Sequence, residues 1–188
     1  MKILVLRASV ALAAISTAFA GEPAADPSRE MARLTAENLM AEISDWLTST
    51  QDLPLVGEKP KIRFTSDVTL QELWHQQSAN PHIDADVRAS EVTSNGHPGG
   101  IVALYDNSRH TIFLSDSWTG TSPAEQSVLV HEMVHHVQHV ARLPSECPMA
   151  REKLAYRAQN RWPSRFGMDL QSEFGLDPFT VLINSACI

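Results

Sequence analysis

Residues 122–139 read SPAEQSVLVHEMVHHVQH, and this stretch predicts the helix around which the rest of the chain is organised. Ser122 offers a hydroxyl as the N-cap, Pro123 suits the first helical position, and Glu125 lies three residues after the cap. This capping box gives the helix a well-defined start. Beyond it, apolar residues fill one arc of the helix, and the opposite arc carries His131, His135, Gln138 and His139. We expect the apolar arc to pack on a sheet and the histidine arc to line a cleft.

The segment His131-Glu132-x-x-His135 is the strongest chemical signal in the sequence. The two histidines lie one helical turn apart and about 40° apart around the axis, so both imidazoles can reach one ion at about 2.0–2.1 Å. Glu132 lies at the edge of that face, where it can accept a proton from a water without being a ligand. The spacing predicts a Zn²⁺ site with Glu132 as the catalytic base. The alternatives are a solvated histidine face or an incidental metal-binding patch, because four of the eight histidines fall within nine residues.

A catalytic zinc needs a third protein ligand, and Glu152 is the first choice. It lies on a helix predicted from about residue 148 to 162, with Tyr156 and Gln159 on the same face. Tyr156 is a candidate donor to the oxyanion of the reaction. An ordinary solvated helix is the alternative, and Glu146 and Glu173 are other possible ligands. His139 is too far along the helix for the same ion, at about 12 Å from His131, and belongs to the wall of the cleft; His136 is expected to be a packed histidine.

The elements on either side of this helix predict an α+β fold. Apolar residues recur with helical spacing over 29–49, a short strand follows at 61–65, and a second helix covers 67–77. One further strand is possible near 87–92. The runs 101–105 and 110–114 are separated by a short polar loop that contains the turn residues Asp106, Asn107 and Ser108, and this pattern predicts a β-hairpin.

With a hairpin, the motif His131-Glu132-x-x-His135 and Glu152 on the next helix, the chain resembles the gluzincin branch of the zincin metallopeptidases over roughly residues 98–162. The resemblance implies a zincin-like fold, with a small, mainly antiparallel sheet packed on the N-terminal and active-site helices and a helical C-terminal part. It also implies that Glu152 is the third ligand and that a peptide or protein substrate binds along the strand at Thr111–Ser115. Uncharacterised secreted bacterial families carry the same motif pair.

The sequence departs from that family at one position. Well-known gluzincins place an aspartate four residues after the ligand glutamate to orient a zinc histidine, whereas this chain has Tyr156 there. A zincin-like zinc-binding or structural module without catalysis is therefore the second hypothesis.

The N-terminus predicts export. Residues 1–20 combine Lys2 and Arg7 with an apolar stretch and end in Ala18-Phe19-Ala20, which is typical of a signal peptide cleaved after Ala20. The remaining 21–188 suits a single domain, secreted or periplasmic, with no stable membrane insertion after cleavage. It carries 13 basic and 22 acidic residues, a formal charge of -9, which argues against nucleic acid as a partner.

Two cysteines, Cys147 and Cys187, follow the histidine motif. In an oxidising compartment we expect them to form a disulfide that ties the C-terminal tail to the segment after the active-site helix. Such a bridge stabilises a fold by roughly 3–4 kcal/mol in the chain-entropy model. A pair of soft metal ligands is the alternative.

Overall fold

The hairpin and one further strand form a three-stranded sheet in the computed structural model, which describes residues 26–79, 101–147 and 149–187. The strands are β1 (Lys61–Thr65), β2 (Ala103–Asp106) and β3 (Thr111–Ser115). The helices are α1 (Pro27–Thr50), α2 (Asp67–Ala79), α3 (Pro123–Val140), α4 (Ala150–Ser164), α5 (Leu170–Phe174) and α6 (Pro178–Ser185). The α+β class is confirmed. The possible strand near 87–92 lies outside the described residues.

The sheet is mixed, so the expectation of a mainly antiparallel sheet was wrong. The strand order is β1-β3-β2. Strand β2 pairs with β3 antiparallel, with Tyr105 opposite Ile112, whereas β1 pairs with β3 parallel, with Ile62 opposite Ile112. A hairpin is visible in the sequence because its turn is local. The direction of β1 depends on the long connection through α2, which no local pattern encodes.

Both faces of the sheet are covered by helices. The side chains of a strand alternate between the two faces, so each strand contributes to both layers. Ile112 and Leu114 contribute to the main core, together with residues of α1, α3 and α4. Phe113 and Leu104 point the other way and form a second cluster with Leu70 of α2. All five residues of β3 are buried as a result.

Helix α3 lies in the middle of the molecule, and every residue from Ser127 to Gln138 is buried. Helix α4 runs antiparallel to α3. The Trp162 indole N–H donates a hydrogen bond to Gln126 near the start of α3, and the Gln138 side chain near the end of α3 donates one to the Arg151 carbonyl. The histidine arc is therefore not left open as a cleft, because α4 covers it.

Among the described helices, none is both long and apolar enough to cross a membrane.

Candidate metal centre

The start of α3 is fixed by the capping box that the sequence predicts. The Ser122 hydroxyl accepts a hydrogen bond from the Glu125 backbone N–H at 3.1 Å, and the Glu125 carboxylate accepts one from the Ser122 backbone N–H at 3.3 Å. Gly120, in the preceding loop, has a positive φ of 70°, and a Cβ there would lie 2.4 Å from the Trp118 ring. These contacts set where the helix begins and hence which way its histidines point.

Three donor atoms from α3 and α4 converge on one point. The Nε2 atoms of His131 and His135 are 3.0 Å apart. One Glu152 oxygen lies 3.1 Å from Nε2 of His131, and the other lies 3.3 Å from Nε2 of His135. A tetrahedral site with bonds of about 2.0–2.1 Å separates its donors by about 3.3 Å. The three side chains therefore stand at the spacing that metal ligands adopt.

Two glutamines turn the imidazoles toward that point. Nδ1 of His135 lies 3.0 Å from Oε1 of Gln138, whose Nε2 donates to the Arg151 carbonyl at 3.0 Å. Because Gln138 donates to that carbonyl, it can only accept from His135, so His135 carries its proton on Nδ1. Nδ1 of His131 lies 2.9 Å from Oε1 of Gln159, whose Nε2 is buried without a hydrogen-bond partner. The Nε2 atoms of both rings then face the Glu152 carboxylate.

This cluster favours a positive charge at its centre. Burial alone would lower the pKa of His135, but the Glu152 carboxylate opposes it and raises that pKa to about 9. Burial alone would raise the pKa of Glu152, but His135 and His131 outweigh it and the pKa falls to about 2. A bound cation and a proton on His135 both meet this demand.

Glu132 is buried beside the three donors, with 2% of its surface exposed. Burial raises the pKa of its carboxyl group, and the facing histidines and the Tyr105 backbone N–H oppose the rise. Its Oε1 is buried without a hydrogen-bond partner. A buried carboxylate oxygen with nothing to accept is costly, so this position suits a visiting donor such as a water.

The residues present therefore fit a metal ion. Among the described residues, His131, His135 and Glu152 are the one group of three such side chains whose ligand atoms all lie within 4.8 Å of one another. In the absence of an ion the same geometry forms buried ion pairs.

The structure sorts the remaining candidate residues. Tyr156 packs edge-on against the His131 ring, with ring centroids 5.0 Å apart, which places it beside the centre. Glu146 and Glu173 do not join the group. His136 is buried and hydrogen-bonded through both ring nitrogens, as expected for a packed histidine. His139 contacts the rings of Tyr105 and His110, away from the convergent donors.

The strand expected to bind substrate lies at the centre of the sheet. Thr111–Ser115 forms the central strand β3, which is hydrogen-bonded to β1 on one side and to β2 on the other. An extended peptide can pair only with an outer strand. Among the described strands, β2 is the outer strand that packs on α3, and the N–H of its Tyr105 reaches Glu132. The sequence carried no signal for this contact between the Tyr105 backbone and Glu132.

The expected disulfide is confirmed. Cys147 and Cys187 are bonded, with Cα atoms 5.9 Å apart. The bridge ties the end of the chain, just after α6, to the residues that precede α4. It therefore braces the helix that carries Glu152.

A family model described as a domain of unknown function, DUF6647, matches residues 32–188. No curated protein and no solved structure matches the chain. The matched residues include all three convergent donors, Glu132 and both cysteines. Since the match covers most of the sequence, the chain belongs to the DUF6647 family.

Proposed function

We propose that this protein is a zinc-dependent metallopeptidase of the gluzincin type, acting on peptides or proteins. The observation that carries the proposal is the position of Glu132: a buried carboxylate with an unpartnered oxygen stands beside three convergent ligand atoms. A purely structural metal site has no use for such a group.

In this proposal His131, His135 and Glu152 hold the ion. A zinc ion there would polarise a water and the scissile carbonyl and so make attack at neutral pH feasible. Gln138 and Gln159 hold the two imidazoles in the tautomer that presents Nε2.

Glu132 moves the proton. It accepts one from the attacking water and returns it to the leaving amine. Burial raises the pKa of the Glu132 carboxyl group toward neutral pH, and this shift favours both proton transfers. Tyr156, packed on His131, is proposed to donate its hydroxyl to the oxyanion.

The substrate is proposed to lie along β2 rather than β3. In the β2–β3 ladder Val102 accepts a hydrogen bond from Ser115, so Leu104 also pairs toward β3. The backbone groups of Ala103 and Tyr105 then face the outer edge of β2, toward Glu132. An extended chain bound there would lie alongside the proposed metal centre.

We further propose that the protein works outside the cytoplasm after removal of residues 1–20. The support is the charge and apolar pattern of those residues and the Cys147–Cys187 disulfide, which persists in an oxidising compartment.

The test compares the zinc-loaded protein with Glu132→Gln on an unfolded protein and on peptide libraries, with metal analysis of both. Glu72→Gln, an exposed glutamate of α2, is the matched control. We expect Glu132→Gln to retain zinc and to lose at least a hundredfold in turnover, with Glu72→Gln unchanged. Equal turnover by Glu132→Gln and the native protein would remove this mechanism.

A second candidate, a zinc-binding module without catalysis, is favoured by the depth of the site. His131 is fully buried and His135 is only 7% exposed. Zinc retention with no turnover in either the native protein or Glu132→Gln would establish this second function.

A further inference from the structure

A pocket of about 400 Å³ lies where α4, α5 and α6 meet. Its apolar floor is formed by Leu170 at the start of α5, Leu176 just after α5, and Pro178 and Val181 of α6. Leu170 and Leu176 are buried, and Val181 is half-buried. A pocket of this size with a mainly apolar lining is typical of sites that take a small organic molecule.

Two cationic side chains of α4 stand at the rim of this pocket. They are Lys153 and Arg157, four residues apart on one face of the helix. Both are exposed, and within the part of the chain that the structure describes neither forms an ion pair with a carboxylate. The lining also holds one acid, Asp169, whose pKa is held below its ordinary value by the Ser172 backbone N–H. Two positive charges and one negative charge give the rim a net charge of +1, although the whole chain carries -7.

The walls of the pocket are held in place by the fold. Helix α6 packs against α4, and the Cys147–Cys187 disulfide ties the residues after α6 to those that precede α4. The Asn160 side-chain oxygen accepts a hydrogen bond from the Leu170 backbone N–H at 3.0 Å, which fixes the start of α5 against α4. Since these contacts set the shape of the pocket before anything binds, an occupant needs to order little of the protein.

We propose that this pocket binds a small apolar monocarboxylate, an acid of the fatty-acid class. The hydrocarbon chain lies on the apolar floor, and its burial supplies most of the affinity. The carboxylate lies between Lys153 and Arg157, and the guanidinium group can donate to both of its oxygens. One carboxylate matches the net charge of the rim, whereas Asp169 opposes a doubly charged head such as a phosphate ester. The proposal does not rest on peptidase activity.

The test is a titration of the protein with octanoate, followed through the methyl NMR signals of Leu170, Leu176 and Val181. It is repeated after chelator treatment, so that a carboxylate bound to an ion at the metal centre is excluded as the cause. We expect these signals to shift together and to saturate. The alcohol 1-octanol has the same chain without the charge and should bind about tenfold more weakly. Acetate, which has the carboxylate without the chain, should leave the signals unchanged.

Lys153→Gln and Arg157→Gln should each weaken octanoate binding about threefold and leave 1-octanol binding unchanged, because each removes one exposed charge. Arg63→Gln, at an exposed position of β1, is the matched control and should bind octanoate like the native protein. Octanoate and 1-octanol of equal affinity would overturn the proposal, as would the absence of any shift in the three methyl signals. Equal weakening by Arg63→Gln would also overturn it, because the charge effect would then not belong to this pocket.

Discussion

Replacing Gln138 by methionine tests whether the structure holds its metal ligands as described. Methionine is close to glutamine in size and flexibility, so the packing between α3 and α4 is largely kept. The change removes two contacts at once. His135 loses the acceptor for its Nδ1–H, and the Arg151 carbonyl, which lies within α4, loses its hydrogen bond from Gln138. Gln138 is only 4% exposed, so water replaces neither partner easily.

The expected loss of stability follows from the Nδ1–H of His135. A buried group left without a partner costs about 1–3 kcal/mol, so the metal-free protein should lose about 1–3 kcal/mol of unfolding free energy. Removing the group that orients a metal-bound histidine typically lowers metal affinity about 10–100-fold. That factor corresponds to about 1.4–2.8 kcal/mol of zinc binding.

The assay is zinc affinity by competition with a chromophoric chelator, beside urea unfolding of the metal-free protein. Gln138→Glu separates orientation from packing, because it keeps an acceptor for His135 but cannot donate to Arg151. We expect it to lose stability yet bind zinc more tightly than Gln138→Met. Gln171→Met, at an exposed position of α5, is the control. If Gln138→Met binds zinc as tightly as the native protein, Gln138 does not orient His135 and the reasoning fails.

Three further predictions concern stability. Replacing both Cys147 and Cys187 by serine should lower the unfolding free energy by about 4 kcal/mol, given the 40-residue separation. Reducing agent should have no effect on the urea unfolding of this double variant. Unchanged stability of the variant would contradict the prediction. Gly120→Ala should lower the midpoint of thermal unfolding and cost about 1–3 kcal/mol of stability, because φ is positive and the new Cβ meets the Trp118 ring. Gly57→Ala, with open space around it, should change the stability by no more than about 0.5 kcal/mol. Equal effects of the two substitutions would show that the strain at Gly120 is absent. Metal-free protein should lose stability as pH rises from about 6.5 to about 9, because folded His135 keeps a proton that the unfolded chain releases at lower pH. This decline in the unfolding free energy should vanish in His135→Ala. A decline of the same size in that variant would show that another group causes the pH dependence.

The elements that local sequence encodes were predicted well. The capping box at Ser122 and Glu125, the hairpin, and the amphipathic periodicity of α1 each depend on residues close in sequence, and each is present. The same holds for the pairing of His131 with His135, because one helical turn fixes their separation. Glu152 was predictable as the acidic residue that faces them from the next helix.

What the sequence did not encode depends on tertiary placement. The parallel pairing of β1 with β3 is set by a long connection, and the central position of β3 follows from it. The depth of the site arises because α4 lies across the histidine face, which the polarity of that face did not predict. The orienting roles of Gln138 and Gln159 became visible only through contacts with the Arg151 carbonyl and the two imidazoles.

The most direct measurement is a crystal structure of the zinc-loaded protein with anomalous difference maps recorded on both sides of the zinc edge. We predict a peak at full occupancy, bonded at about 2.0–2.2 Å to Nε2 of His131, Nε2 of His135 and a Glu152 oxygen, with Glu132 beside it but not bonded. Crystals that bind zinc elsewhere and show these three side chains joined only to one another would contradict the account.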